Sequence, residues 1–506
     1  MAADGSGAFL AYHEPNIIFI LTLVSFFLCL GIAEWLADKL IRAPLIGHIT
    51  VGLIYGVPLA NILAPDWQET FLALGYIGLI LIIFEGGLTI RLDLLCQNLV
   101  LSVVAALLGV LTPIALSFTL IYAGFNHTPL EAFIVGTALC STSLGTTFVV
   151  LASASKAKPK AGSADPTNTR RGEGVDFSQT RIGTVLVSAA VLDDVCGLVL
   201  VSVIHNLRSI ADGDDGTSLG WIIVRPVLAS GLMALLTPAM VKFIAGPLYR
   251  RIVQPRLATK SARLGRVFGI LLMAVVLVAS LAIAAYAGAS VLFGAFLAGA
   301  FLSGLPGEMN GQGGTAEFTD TFEHYLGAPQ KYVFQPLFFA SIGFAIPFAE
   351  LWTKEVVWKG AVYTILMAFG KLIVGAVVLV WDVLSHRFKK RGSEKTERGA
   401  IGWAPATLLG AAMVARGEVG LLIIQIGLNE TPYLTRKAFV IGVWAIVLNT
   451  IIGPVLVGLL LKRVGSSIAG DARWGVQVKQ GSDIEADADA ETTGTSAGTR
   501  QRPALA

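Results

Sequence analysis

Ile182–His205 reads IGTVLVSAAVLDDVCGLVLVSVIH, an apolar run that carries two adjacent carboxylates, Asp193 and Asp194, near its middle. A helix rises 1.5 Å per residue, which puts the pair roughly 17 Å into the segment, about halfway through a hydrocarbon core some 30 Å thick. Each aspartate costs about 2.5–3.5 kcal/mol at that depth. Asp is too short to snorkel from the midplane, so the pair must turn into a helix bundle, and ionisable groups kept there mark an ion or proton site.

The rest of the chain agrees with a polytopic membrane protein. Of its 506 residues 55% are hydrophobic and only 14% charged, with a mean hydropathy of +0.73, which excludes an ordinary soluble enzyme. The net charge of +3 identifies no partner, and no nucleic acid or cofactor is expected. Cys29, Cys96, Cys140 and Cys196 show no metal-ligand spacing, so neither a disulfide framework nor a metal site is expected.

Outward from Asp193 and Asp194, thirteen transmembrane helices are expected: Asn16–Trp35, 44–63, 71–90, 98–123, 131–153, 182–206, 220–247, 265–286, 288–305, 333–352, 358–384, 401–428 and 437–461. The chain then divides into a short N-terminal segment (1–15), an all-α transmembrane domain (16–463) and a polar tail (464–506). The N-terminal segment contains no Lys or Arg, unlike the basic start of a secretory signal. The tail carries the acidic run SDIEADADAE and a Thr/Gly/Ser-rich end, a composition that builds no core and is expected to be disordered.

Orientation follows from Lys and Arg in the connections. The loops after spans five, seven and eleven each carry six basic residues: Lys156, Lys158, Lys160, Arg170, Arg171 and Arg181; Arg250, Arg251, Arg256, Lys260, Arg263 and Arg266; Arg387, Lys389, Lys390, Arg391, Lys395 and Arg398. All three loops fall on one side, so the N-terminus is expected outside or in a lumen and the C-terminus in the cytoplasm, with the plasma membrane as the favoured location. The loop 306–331, expected inside, dissents, with Lys331 against Glu308, Glu317, Asp320 and Glu323. The sequons at Asn126 and Asn429 fall in connections expected outside.

The chain also repeats itself. IGHITVGLIYGVP in span two matches FGAFLAGAFLSGLP in span nine, aligning Gly47 and Gly52 with Gly294 and Gly299, and span three matches span ten with Gly87 opposite Gly343. An offset of seven spans reverses the direction of entry, which is the inverted-repeat architecture of secondary transporters. Span five then pairs with span twelve. Span five contains Cys140-Ser141-Thr142-Ser143, whose hydroxyls, with carbonyls freed by a broken helix, can replace water around a small cation; packing between helices is the structural alternative. Span twelve contains Arg416-Gly417-Glu418, charges that either brace a broken helix or take part in coupling. Lys371, twelve residues after Lys359 in span eleven, lies roughly 18 Å along its helix, near the depth of the aspartates. A buried Lys needs a partner, and Asp193 or Asp194 is the natural one.

Taken together, AAVLDDVCGLVL, Lys371, the Ser141-Thr142-Ser143 run, IGHITVGLIYG, FFASIG and VARGEVGLLI resemble the monovalent cation:proton antiporter superfamily, in particular its second, Asp-Asp branch of sodium or potassium/proton exchangers. The resemblance covers roughly residues 16–463. It implies a homodimer, each subunit with a dimerisation domain and a mobile core containing two crossed, broken helices, here spans five and twelve. It implies that Asp194 binds cation or proton, that Asp193 pairs with Lys371, and that Ser141, Thr142 and Ser143 belong to the cation shell. Asp193, where electroneutral relatives carry Asn, implies electrogenic exchange. His48 stands where Tyr is more usual, and Glu85-Gly86-Gly87 resembles the first branch, so Na+, K+ and Li+ all stay open.

The expected function, in a lipid bilayer, is exchange of a monovalent cation for protons, because one carboxylate holds a proton or a desolvated cation but disfavours both. A gated cation channel or non-transporting sensor on the same fold is the alternative. An intramembrane aspartyl protease fits poorly, since neighbouring helical side chains diverge by about 100°.

Overall fold

The computed structural model describes residues 12, 14–90, 98–143, 180–207, 219–253, 262–305, 315–389, 402–469, 471 and 473–475. Among them the regular elements are helical. Those of eight or more residues are α1 (Ile17–Ile41), α2 (Pro44–Tyr55), α3 (Pro65–Leu88), α4 (Leu99–Ser117), α5 (Pro129–Ala138), α6 (Arg181–Asn206), α7 (Leu219–Met240), α8 (Ala262–Ala287), α9 (Val291–Ser303), α10 (Thr315–Phe322), α11 (Gln335–Phe344), α12 (Lys354–Leu372), α13 (Ala376–Lys389), α14 (Trp403–Ala412), α15 (Glu418–Glu430) and α16 (Arg436–Ala469). Pro44, Pro65 and Pro129 start α2, α3 and α5, where a missing N–H costs nothing.

Eight described helical stretches are long and apolar enough to cross a membrane. They coincide with expected spans one, three, four, six, seven, eight, eleven and thirteen. The other five expected spans fall on shorter or interrupted helices: α2, α5, α9, α11 and the α14/α15 pair.

Several boundaries move: α1 runs to Ile41, past the expected Trp35, α3 starts at Pro65, ahead of the expected 71, and α16 runs to Ala469, into the expected polar tail. The expected loop 306–331 is helical from Thr315, and through π-turns at Glu323–Gly327 and Gln330–Phe334 it runs into α11, which stops at Phe344 short of the expected 352. It is expected only as the connection between spans nine and ten, but Phe318 and Phe322 sit one turn apart and both are buried, which gives the segment an apolar face. Asn429, expected in a connection, lies in the last turn of α15 and donates to Gln425 Oε1 at 3.1 Å, because α15 keeps its backbone bonds two residues further than hydropathy suggested. The three basic loops fall largely outside the described residues.

The helices pack in two groups. One comprises α1, α2, α3, α8, α9, α10 and α11; the other comprises α4, α5, α6, α12, α13, α14, α15 and α16, and α7 touches both. The inverted repeat is carried by glycines at the first group's crossings. A Cβ on Gly343 of α11 would lie 3.0 Å from Gly52 Cα of α2, and a Cβ on Gly87 of α3 would lie 3.1 Å from Gly299 Cα of α9. The repeat equates Gly52 with Gly299 and Gly87 with Gly343, so the two crossings are the same contact made twice. Neither leaves room for a methyl group.

Both crossings therefore share one sensitivity. Gly343→Val and Gly299→Val should each destabilise the detergent-purified protein by about 1–3 kcal/mol or more through overpacking, seen as a lower melting temperature. Gly86→Ala, where the added Cβ meets nothing within 4 Å, should not lower it.

Candidate ion and proton site

At mid-height α6 meets the interruptions of two helices. α5 ends at Ala138 and its chain leaves the helical path through Ser143, where Ser and Thr offer the backbone alternatives to helix bonding. The remainder of expected span five, 144–153, lies outside the described residues. α14 ends at Ala412 and α15 starts at Glu418, with Gly417 extended between them. The two breaks are tied together. Ser143 N donates to Ala415 O at 3.0 Å, and Arg416 Nη1 donates to Ser141 O at 3.2 Å. A Cβ on Gly417 would lie 2.9 Å from Ser143 Cβ, so a side chain there would force the strands apart.

Lys371 stands at the end of α12, next to a 3-10 turn at Ile373–Gly375. Its ammonium has three donors and uses all of them: Asp193 Oδ2 at 2.5 Å, Cys140 O at 2.5 Å and Thr142 Oγ1 at 2.9 Å. Thr142 Oγ1 in turn donates to Asp193 Oδ2 at 3.0 Å. Lys371 and Asp193 are both 0% exposed, so the two charges neutralise each other where water does not reach. The Cys140 carbonyl lies just past the negative end of α5, which favours a cation. Asp193 Oδ1 has no partner among the described residues. Gly109 of α4 makes the space for this carboxylate, since a Cβ there would lie 2.8 Å from both of its oxygens.

Asp194 points elsewhere, as a neighbour on a helix must. It is partly exposed and, among the described residues, takes one hydrogen bond, from Ser141 Oγ at 2.6 Å. Glu418 stands in the first turn of α15, beside the second break.

The predicted residues thus come together but divide. Asp193, Lys371 and Thr142 form one network; Asp194 and Ser141 form another; Ser143 joins the breaks through its backbone. Arg416 and Glu418 form no ion pair among the described residues. Arg416 is fully buried and spans the two breaks, with Nε and Nη2 unpartnered among the described residues. Sequence reasoning missed Gly109 and the Cys140 carbonyl, neither of which has a local pattern. It also missed the counterpart of the aspartates in the second repeat. AAVLDDVCGLVLV (Ala189–Val201) aligns with AIVLNTIIGPVLV (Ala445–Val457), placing Asn449 and Thr450 opposite Asp193 and Asp194. The Thr450 hydroxyl is shared between Ile446 O at 2.7 Å and Arg416 O at 3.1 Å, which links its helix to the second break.

A buried pair is costly to halve. Lys371→Gln alone strands Asp193 and should cost about 3–5 kcal/mol, whereas Lys371→Gln with Asp193→Asn should cost clearly less than the sum of the single changes; thermal melting of the three purified variants measures this.

The sodium/hydrogen exchanger, transmembrane family matches residues 23–463. The chain is 24% identical over 429 residues to a Na(+)/H(+) antiporter of Enterococcus hirae, covering 83% of this chain and 92% of that one. It is 23% identical over 435 residues to the Na(+)/H(+)-K(+) antiporter GerN of Bacillus cereus, covering 83% and 90%. Its fold is similar to that of the sodium proton antiporter MjNhaP1 from Methanocaldococcus jannaschii, with a TM-score of 0.54 at 18% identity over 88% of this chain and 99% of that one. With helices enough for many membrane crossings and this match across nearly its whole length, the chain is an integral multi-pass membrane protein that belongs to the sodium/hydrogen exchanger family.

Proposed function

We propose that the protein is a secondary active transporter that exchanges a monovalent cation, Na+ or K+, for protons by alternating access. The observation that carries this reading is the unequal partnering of two adjacent aspartates. Asp193 is neutralised by Lys371 at 2.5 Å and sealed from water, while Asp194 is partly exposed and held by Ser141. A carboxylate in that position takes a proton or a cation from whichever side the cavity faces, and the two compete. If the core changes its facing only when Asp194 is occupied, competition becomes coupled exchange. Ser141 supplies the neutral oxygen that completes the cation's shell, with backbone carbonyls of the broken helix. Thr142 and Ser143 support the shell from behind.

Lys371 gives the reading its stoichiometry. When a cation arrives and draws Asp193 towards it, Lys371 loses its ion-pair partner and releases a proton; when the cation leaves, it regains one. Two protons then move against one cation, and the membrane potential contributes about 2.3 kcal/mol per 100 mV for the unbalanced charge. Arg416 and Glu418 act in coupling, through the crossing of the broken helices. The glycine-packed group would serve as the static, dimerising part of a homodimer and the α4–α6, α12–α16 group as the mobile core, with the basic loops and tail in the cytoplasm below the plasma membrane.

Asp194→Asn should abolish cation-driven proton movement in reconstituted vesicles without lowering the melting temperature, because the amide neither titrates nor carries charge. Near-wild-type exchange in the inserted variant would sink the assignment. The wild-type reversal potential, set by imposed ion and proton gradients, should follow two protons per cation. In Lys371→Gln with Asp193→Asn, exchange should be slower and indifferent to voltage; a voltage-insensitive wild type would reduce Lys371 to a brace.

A further inference from the structure

Beyond α16 the chain turns back onto the helices. Trp474, in the stretch that composition assigned to a polar tail beginning at 464, is 0% exposed and heads the largest fully buried side chains among the described residues. Its indole N–H lies 3.3 and 3.4 Å from the two Asp382 oxygens. Asp382, 3% exposed on α13, also accepts from the N–H of Gly402, the residue that caps α14, at 3.1 Å. Arg473 Nη1 approaches Asp382 at 3.8 Å.

The backbone is engaged as well. Gly475 O accepts from Arg181 N at 3.2 Å, and Trp474 O accepts from Ile182 N at 3.3 Å. These are two of the N–H groups that the first turn of α6 cannot satisfy within the helix. Thr180 takes the next two, Gly183 N through its hydroxyl at 3.1 Å and Thr184 N through its carbonyl at 2.9 Å. The Arg181 guanidinium lies over the indole, 5.1 Å from its centroid, and donates to Asn98 Oδ1 at 3.2 Å.

We propose that Trp474 and the Trp474 and Gly475 carbonyls form a clamp that fixes α6 along and about its axis against α13 and α14, and so positions Asp193 and Asp194. Trp474 touches no ion; it acts through α6. Asp194 lies thirteen residues beyond Arg181, about 20 Å along the helix, and a slip of one residue moves a side chain by about 1.5 Å and 100°. Such a slip would break the 2.5–3.0 Å contacts that join Lys371, Thr142 and Asp193. The clamp's partners all lie on helices of the group that carries the site, so it holds that group together without tying it to the glycine-packed one.

The test uses full-length protein. On the exchange reading, Trp474→Ala should raise the apparent KM for whichever of Na+ and K+ the wild type exchanges roughly tenfold while Vmax stays within about twofold, and Trp474→Phe, which keeps the ring and loses the N–H, should recover most of that change. An unchanged KM in an inserted Trp474→Ala protein, or a fall in Vmax alone, overturns the clamp. If Trp474→Ala does not fold, amide hydrogen exchange on the wild type decides. The Arg181 and Ile182 amides should be protected like those of the α6 interior, and rapid exchange there overturns the proposal. This measurement needs no transport, so its failure is separable from failure of the exchange reading.

Discussion

A charge in the middle of a bilayer must be matched, and the Lys371–Asp193 pair is the match on which this protein's interior depends. The pair is fully buried, and burial repays its desolvation only where further hydrogen bonds complete both groups. Within an unbroken helix each carbonyl already accepts a backbone N–H and points along the axis rather than at a neighbouring helix. The interruption of α5 at Leu139–Ser143 supplies the Cys140 carbonyl and the Thr142 hydroxyl, and the break between α14 and α15 holds that interruption in place through Ala415 and Arg416. Irregular backbone at membrane depth is tolerated only when buried in protein in this way. Glycines at 109 and 417 are the spatial counterpart, leaving room for a carboxylate and for the crossing strands.

The two repeats spend the same architecture differently. The glycine crossings of α2 with α11 and of α9 with α3 are equivalent and equally tight. The sixth and thirteenth spans are not equivalent in chemistry. Where the first copy has Asp193 and Asp194, the second has Asn449 and Thr450, both buried and neutral. The first copy therefore carries the aspartates, while the second contributes Lys371 and braces the backbone that surrounds them.

Most of this organisation is legible in the sequence because hydrocarbon makes its rules strict. An Asp pair and a Lys at matching depths have few partners but each other, and a Gly between charges in an apolar run has to be a break. What could not be read depends on rotation and on distant contacts. The sequence does not say which aspartate faces Lys371, since adjacent residues differ by about 100° and only packing sets the zero. Thr142 and Ser143 look alike beside Ser141, yet Thr142 bridges the ion pair while the Ser143 backbone joins the breaks. The helix from Thr315 falls in the connection between spans nine and ten, and Trp474 is one aromatic residue in a polar stretch, with no periodicity to reveal that it docks.

The central claim is that one carboxylate, Asp194, holds either a proton or a cation. Calorimetric titration of Na+ into the purified protein, in buffers of different ionisation enthalpy across a neutral-to-alkaline pH series, counts the protons released for each cation bound. The account predicts proton release on cation binding in the wild type and none in Asp194→Asn. Cation binding to the wild type with no proton release at any pH would contradict it.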